Sequence, residues 1–138
     1  MAYRVKKVKY CYVKVPSRAG QGAKILAALK DAGVNLLAFS GFPLKGGVSQ
    51  VDLVSNEIPL IRRVARQQGW RLSAVKKAFL ITGNDEVGVV ERIVSRLAAG
   101  KIKITATDAV AAGAGRFGMI LWVKPDKYNA AARLLGAH

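Results

Sequence analysis

The run Lys77-Ala78-Phe79-Leu80-Ile81-Thr82-Gly83-Asn84-Asp85-Glu86-Val87-Gly88-Val89-Val90-Glu91-Arg92-Ile93-Val94-Ser95-Arg96-Leu97-Ala98-Ala99-Gly100 decides the fold. Its first seven residues, Lys77–Gly83, are apolar and β-prone, and read as a strand. Glu86–Ala99 then places Val90, Ile93, Val94 and Leu97 at helical spacing, and Gly100 closes the helix. The chain before this run has already passed through one complete set of elements, so Lys77 marks a restart.

Working backward, Val8–Val15 is rich in β-branched and aromatic residues and predicts a strand. Pro16 to Gly20 breaks it. Gln21–Ala32 puts Ile25, Leu26, Leu29 and Ala32 on one helical stripe, with Gly33 after it. Val34–Phe42 reads as a strand, residues 43–47 as a turn, and Val48–Val54 as a second strand. Asn56 is placed to cap a helix over Glu57–Gln68, with Ile58, Ile61, Val64 and Ala65 inward and Arg62, Arg63 and Arg66 outward. Trp70–Val75 predicts the fourth strand. The order is β-α-β-β-α-β. Working forward from the quoted run, Ile102–Val110 and Phe117–Lys124 are strands around a small-residue turn, and Pro125 opens a helix to about Leu135.

An offset of 68 residues aligns Gly20 with Gly88, Ile25 with Ile93, Leu29 with Leu97, Ala38 with Ala106, Gly47 with Gly115 and Leu53 with Leu121. Matches at helix starts, helix cores and strand cores point to an internal repeat. The second copy stops after its second helix and lacks a fourth strand. The extension Ala2–Lys7, with Tyr3 and Val5 alternating against Arg4 and Lys6, is a candidate to supply it. No Gly, Pro or Asn separates Trp70–Val75 from Lys77–Gly83, so one long or bent strand is expected to join the copies.

Composition narrows the functional classes. The 138 residues carry 23 Lys+Arg and 8 Asp+Glu, a formal charge of +15, with 51% hydrophobic and 22% charged residues. That is globular rather than disordered composition. No apolar run reaches the ~18 residues of a membrane helix, and no signal-peptide core follows Met1, which leads to a cytoplasmic expectation with no membrane partner. Cys11 is the only cysteine and His138 the only histidine. A disulfide, a cysteine metal site and a nucleophile–His–acid triad are thereby disfavoured; no catalytic residue, metal ligand or cofactor is expected. Gly113-Ala114-Gly115-Arg116-Phe117-Gly118 fits a dinucleotide fingerprint in letters, but lies in a hairpin turn rather than between strand and helix.

Two strand-to-helix loops hold the informative polar residues: Pro16-Ser17-Arg18-Ala19-Gly20 and Asn84-Asp85-Glu86-Val87-Gly88. A Ser or Asx side chain before a helix caps free N–H groups, and a glycine there allows close approach to the backbone. Such a loop at a positive helix end suits a carboxylate, and it equally suits plain capping.

With these loops the sequence resembles a tandem ACT-domain protein, the amino-acid-binding regulatory module of biosynthetic enzymes. The module's Asp-x-Pro-Gly motif is matched by Asp85-Glu86-Val87-Gly88 with Val87 in place of proline, and by Ser17-Arg18-Ala19-Gly20 at the glycine alone. Its Gly-Ile-Asn-Ile motif is matched by Gly33-Val34-Asn35-Leu36, and in apolar pattern by Lys101-Ile102-Lys103-Ile104, with Lys103 at the asparagine position. The resemblance implies an α+β fold of two tandem ferredoxin-like units, residues 1–75 with the extension strand and residues 76–138. It also implies antiparallel sheets with helices on one face, the units pairing into an eight-stranded sheet. It implies a non-enzymatic regulator that binds an amino acid and works through a partner enzyme; a homodimer is expected because small sheet-forming modules leave edges that pairing covers. The ligand residues it implies are Ser17, Arg18, Ala19, Gly20 and Asn35, and Asn84, Asp85, Val87, Gly88 and Ile102. The alternative class is RNA binding on the same layout, favoured by charge and resting on Tyr10, Tyr12 and Phe117 as stacking aromatics.

Overall fold

A computed structural model describes residues 3–138. Of the extension Ala2–Lys7, Ala2 lies outside the described residues. The element order is β1 (Tyr3–Pro16), α1 (Gln21–Asp31), β2 (Ala38–Pro43), β3 (Val48–Val54), α2 (Ile58–Gln68), β4 (Lys76–Asn84), α3 (Val89–Ala99), β5 (Ile104–Gly113), β6 (Arg116–Val123) and α4 (Tyr128–Leu135), the last entered through a 3-10 turn at Pro125–Lys127. The chain divides into two compact units. The first is Lys9–Lys76; the second joins residues 3–8 to Lys77–His138.

In the first unit β3 lies between β2 and β1, all antiparallel, with Cys11 opposite Leu53 and Val13 opposite Val51. Side chains alternate across a strand, so these four share one face. That face carries both helices: Cys11, Val13, Val51 and Leu53 pack with Ile25 and Leu29 of α1 and with Ile58, Ile61 and Val64 of α2. The arginines Arg62, Arg63 and Arg66 take the exposed side of α2, as the spacing predicts.

The second unit repeats the plan. Its strand order is β1, β4, β6, β5, where β1 is represented by residues 3–8. Phe79 faces Leu121 and Ile81 faces Met119, and this face packs on Val89, Ile93 and Leu97 of α3 and Tyr128, Ala131 and Leu135 of α4. Phe79 and Tyr128 stack at 4.4 Å, and the Tyr128 hydroxyl donates to Ala78 O at 2.8 Å. Alongside residues 3–8, Lys7 N–H donates to His138 O (3.0 Å) and His138 N–H to Val5 O (3.3 Å).

Several expectations shift. Six strands stand where eight were expected among the described residues, for two reasons. The extension and Val8–Val15 are one 14-residue strand. Trp70–Val75 forms only a single bridge, Leu72 to Val13. There Tyr12 N–H donates to Ser73 Oγ (2.8 Å), so a side-chain oxygen takes the place a ladder carbonyl would hold. The joining segment is accordingly not one strand, and β4 begins at Lys76. In α3 the inward residue is Val89 rather than Val90, because the helix starts at Val89, directly after the left-handed Gly88 (φ 83). Gly100 follows this helix in a tight place: a Cβ there would stand 2.3 Å from Leu134 Cδ1 of α4.

Candidate functional site

The ends of β1, β4 and β6 and the tail of α4 enclose an open cavity of about 660 Å³ within the second unit. Each element delivers its side chain for a local reason. β1 contributes Tyr3 and Val5 to the core face and Arg4 between them. β4 ends at Gly83-Asn84, where the chain leaves the sheet and Asp85 N–H donates to Gly115 O at 2.9 Å. β6 begins at Arg116, opposite Asn84 in the ladder. The α4 helix is stopped by Gly136 in the left-handed region (φ 65), which turns the chain back toward β1 and brings His138 to the rim.

The cavity is polar and basic. Arg4 and Arg116 supply two guanidinium groups, and no Asp or Glu side chain lines it. Arg116 Nη1 donates to Asn84 Oδ1 at 3.0 Å, which fixes the carboxamide and leaves other guanidinium donors for a ligand. Tyr3 is 7% exposed, and its hydroxyl is buried without a hydrogen-bond partner. A buried hydroxyl left unpaired costs free energy. Arg96 sits over the Tyr3 ring at 5.7 Å. Two guanidinium groups and an amide make a set that recognises a carboxylate, with Asn84 Oδ1 as an acceptor for an ammonium group.

Of the ten ligand residues drawn from the sequence, Asn84 alone lines this cavity. Ser17, Arg18, Ala19 and Gly20 form an exposed loop, in which the Ser17 hydroxyl is hydrogen-bonded to the Ser49 hydroxyl and Ser17 N–H donates to Gly47 O at 2.9 Å. Asn35 lies at the other end of the same sheet: Leu37 N–H donates to Val54 O, and Asn35 N–H to Glu57 Oε2 at 2.9 Å. The span from Val48 to Val54 separates them by roughly 20 Å at ~3.3 Å per residue. Asp85 and Gly88 are exposed, Val87 is fully so, and Ile102 is buried in the core at the far end of β6 from Asn84. Neither unit brings its loop residues together with the start of its second strand.

Capping is also corrected. The N-caps of α1 and α3 are Gly20 and Gly88, that of α2 is Glu57, and none uses a side-chain hydrogen bond. Ser17, Asn56 and Asp85 therefore do not cap. Sequence reasoning missed Tyr3, Arg4, Arg116 and His138 as site residues. The signal for Tyr3 and Arg4 was their alternation in the extension; Arg116 and His138 carried none.

Other reactive groups are quiet. Burial pushes the Cys11 thiol up, against Arg62 and Ser73, so it is a poor nucleophile near neutral pH. Asp52 is 5% exposed, and burial raises its carboxyl, against the Gln50 hydrogen bond and Lys76. Among the described residues no group of three His, Cys, Asp or Glu side chains is placed to hold a metal ion, and no helix is long and apolar enough to cross a membrane. Of the aromatics invoked for RNA stacking, Tyr10 (8% exposed) and Phe117 are buried. A buried ring offers no face to a base.

No protein-family model matches the chain, and no curated protein matches it. Solved structures do. Protein BT0572 from Bacteroides thetaiotaomicron is similar with a TM-score of 0.74 at 12% identity, over 96% of this chain and 90% of that one. The ligand-free regulatory subunit of aspartate kinase from Thermus thermophilus is similar with a TM-score of 0.64 at 14% identity, over 99% and 95%. The chain has an ACT-like α+β fold. E. coli aspartokinase III, solved in complex with aspartate and ADP, shares it over 96% of this chain and 32% of its own, with a TM-score of 0.56 at 14% identity. In this ACT-like chain the loop before α3 and the start of β6 meet at Asn84 and Arg116, which is where the cavity opens.

Proposed function

We propose that this chain is a non-enzymatic regulatory protein whose second unit binds an amino acid and transmits its presence to a partner enzyme or to a second copy of the chain. The observation that carries the reading is the cavity lined by Arg4, Arg116 and Asn84. The guanidinium groups address an α-carboxylate, and Asn84 Oδ1 an α-ammonium. The ACT-like fold supports it, since similar structures include the regulatory subunit of an aspartate kinase. Regulation then follows from differential affinity: a ligand that prefers one arrangement shifts the population toward it. The two units read as tandem copies of one module.

A thermal-shift screen of the twenty amino acids, at low and high salt, tests this. At least one amino acid is expected to raise the melting temperature at both salts, and Arg116→Ala to weaken its binding about tenfold or more. No shift from any amino acid, or undiminished binding by Arg116→Ala, overturns the reading.

A further inference from the structure

The turn from α3 to β5 is built like the turn from α1 to β2. After α1, Gly33 N–H donates to Lys30 O and Val34 N–H to Leu29 O; after α3, Lys101 N–H donates to Ala98 O and Ile102 N–H to Leu97 O. Gly33 holds φ 78, and Lys101 holds φ 59. Glycine adopts this left-handed conformation freely, whereas a lysine adopts it under strain. The second unit thus keeps a lysine where the first shows that a glycine fits.

The strained side chain lines a cleft of about 310 Å³ with Lys103, Thr105, Lys124 and Lys127, and no acidic residue is in its wall. An adjoining depression of about 410 Å³ shares Lys101 and Lys127 and adds Arg133. Three separate segments deliver these cations: the α3–β5 turn, the end of β6 and the 3-10 turn at Pro125–Lys127. One lysine beyond a helix C-terminus is accounted for by the helix dipole. Four around one depression repel one another, and a multiply charged anion removes that repulsion. The first unit has Asn35 and Leu37 where Lys103 and Thr105 stand, and no basic residue over 56–60, its entry to α2. The cluster belongs to one unit only, which a generally basic surface does not explain.

We infer that this cleft binds a compact polyphosphorylated anion, the chemistry shared by a nucleoside triphosphate and inorganic polyphosphate. Ammonium groups on flexible stems meet phosphate oxygens from several directions, and the Thr105 hydroxyl adds a neutral donor. The cleft lies at the Val123 end of β6, whereas the amino-acid cavity lies at the Arg116 end, and neither proposal depends on the other.

Isothermal titration of the full chain with inorganic tripolyphosphate and, separately, with ATP at about 0.15 M salt tests this. Both are expected to bind. Tighter binding of ATP assigns its nucleoside to the adjoining depression; equal binding assigns the affinity to phosphate alone. Lys101→Gly is expected to bind tripolyphosphate about tenfold more weakly while melting at the same temperature or higher, since it relieves the strained turn. Lys103→Gln with Lys124→Gln, which leaves that turn intact, is expected to lose binding as well. Absence of binding at this salt overturns the proposal. So does an equal loss on changing Lys24 and Lys30 to Gln in the first unit, which would mark diffuse attraction to net charge.

Discussion

The two units share one plan and differ in what they do with the mouth of their second strand. In the first unit that region is closed upon itself: Glu57 Oε2 accepts from Asn35 N–H, Ser55 Oγ donates to Asn35 O at 2.8 Å, and Glu57 N–H donates to Ser55 Oγ at 3.0 Å. In the second unit the same region is an open cleft ringed by lysines. At the opposite end, the first unit ties Ser17 to Ser49 across the sheet, while the second leaves a cavity between Asn84, Arg116 and β1. Satisfied polar groups make a rigid wall, and unsatisfied ones make a binding surface. The two units therefore differ at both ends of their sheets.

The sharpest way to stress this comparison is the core. Phe79 stands 68 residues after Cys11, and both are fully buried in their strand centres. Phe79→Ala removes a ring stacked on Tyr128 and is expected to cost about 3–5 kcal/mol, whereas Cys11→Ala costs about 1 kcal/mol. Urea denaturation of the two variants measures both, and equal costs would break the equivalence of the positions.

The close approach of α3 and α4 comes next. Gly100→Ala brings a Cβ to 2.3 Å from Leu134 Cδ1, the end of a partly exposed side chain that must swing aside, and is expected to cost about 1 kcal/mol. The position 68 residues earlier is already Ala32, so Ala32→Gly should cost no more than about 1 kcal/mol. Thermal melts of the pair read both costs directly.

The smallest effect concerns one tyrosine in each unit. Burial raises Tyr10 and Tyr128 from 10.0 to about 12, with Asp52 adding to the shift at Tyr10. A raised folded pKa means that the stabilisation is complete below pH 10 and is lost as the pH climbs toward 12. Tyr128→Phe gives up the hydrogen bond to Ala78 O, about 1 kcal/mol at neutral pH, and removes half of this alkaline loss. Melting temperatures from pH 7 to 12, with absorbance of the ionised phenol followed in parallel, show whether the two tyrosines resist titration alike.

Much of the fold was legible because it rests on periodicity. The stripes Ile25–Leu29 and Ile93–Leu97, and the restart after Lys77, need only side-chain spacing. Two misreadings share a cause, which is that the expected hydrogen bond is made by a different group or not made at all. Ser73 accepts from Tyr12 and ends a strand before it forms, and Gly20 and Gly88 start helices from the left-handed region without any side-chain cap. The site was harder to see. Asn84 was found from its loop, but its neighbours Arg4 and Arg116 lie more than a hundred residues apart in sequence and meet only because β1 and β6 both flank β4. No spacing rule marks such a pair. Lys103 was noticed as a departure from a motif, whereas the meaning of Lys101 needs a φ angle, which the sequence does not display.

The proposed amino-acid site lies wholly within the second unit. The most direct measurement is amide chemical-shift mapping of the isotope-labelled full chain during titration with the amino acid that raises its melting temperature most. The perturbed residues are expected to gather at 3–5, 82–84, 116 and 135–138. Perturbations centred on Ser17–Gly20 and Asn35, or on Val87 and Gly88 with the Arg116 region silent, would contradict that placement.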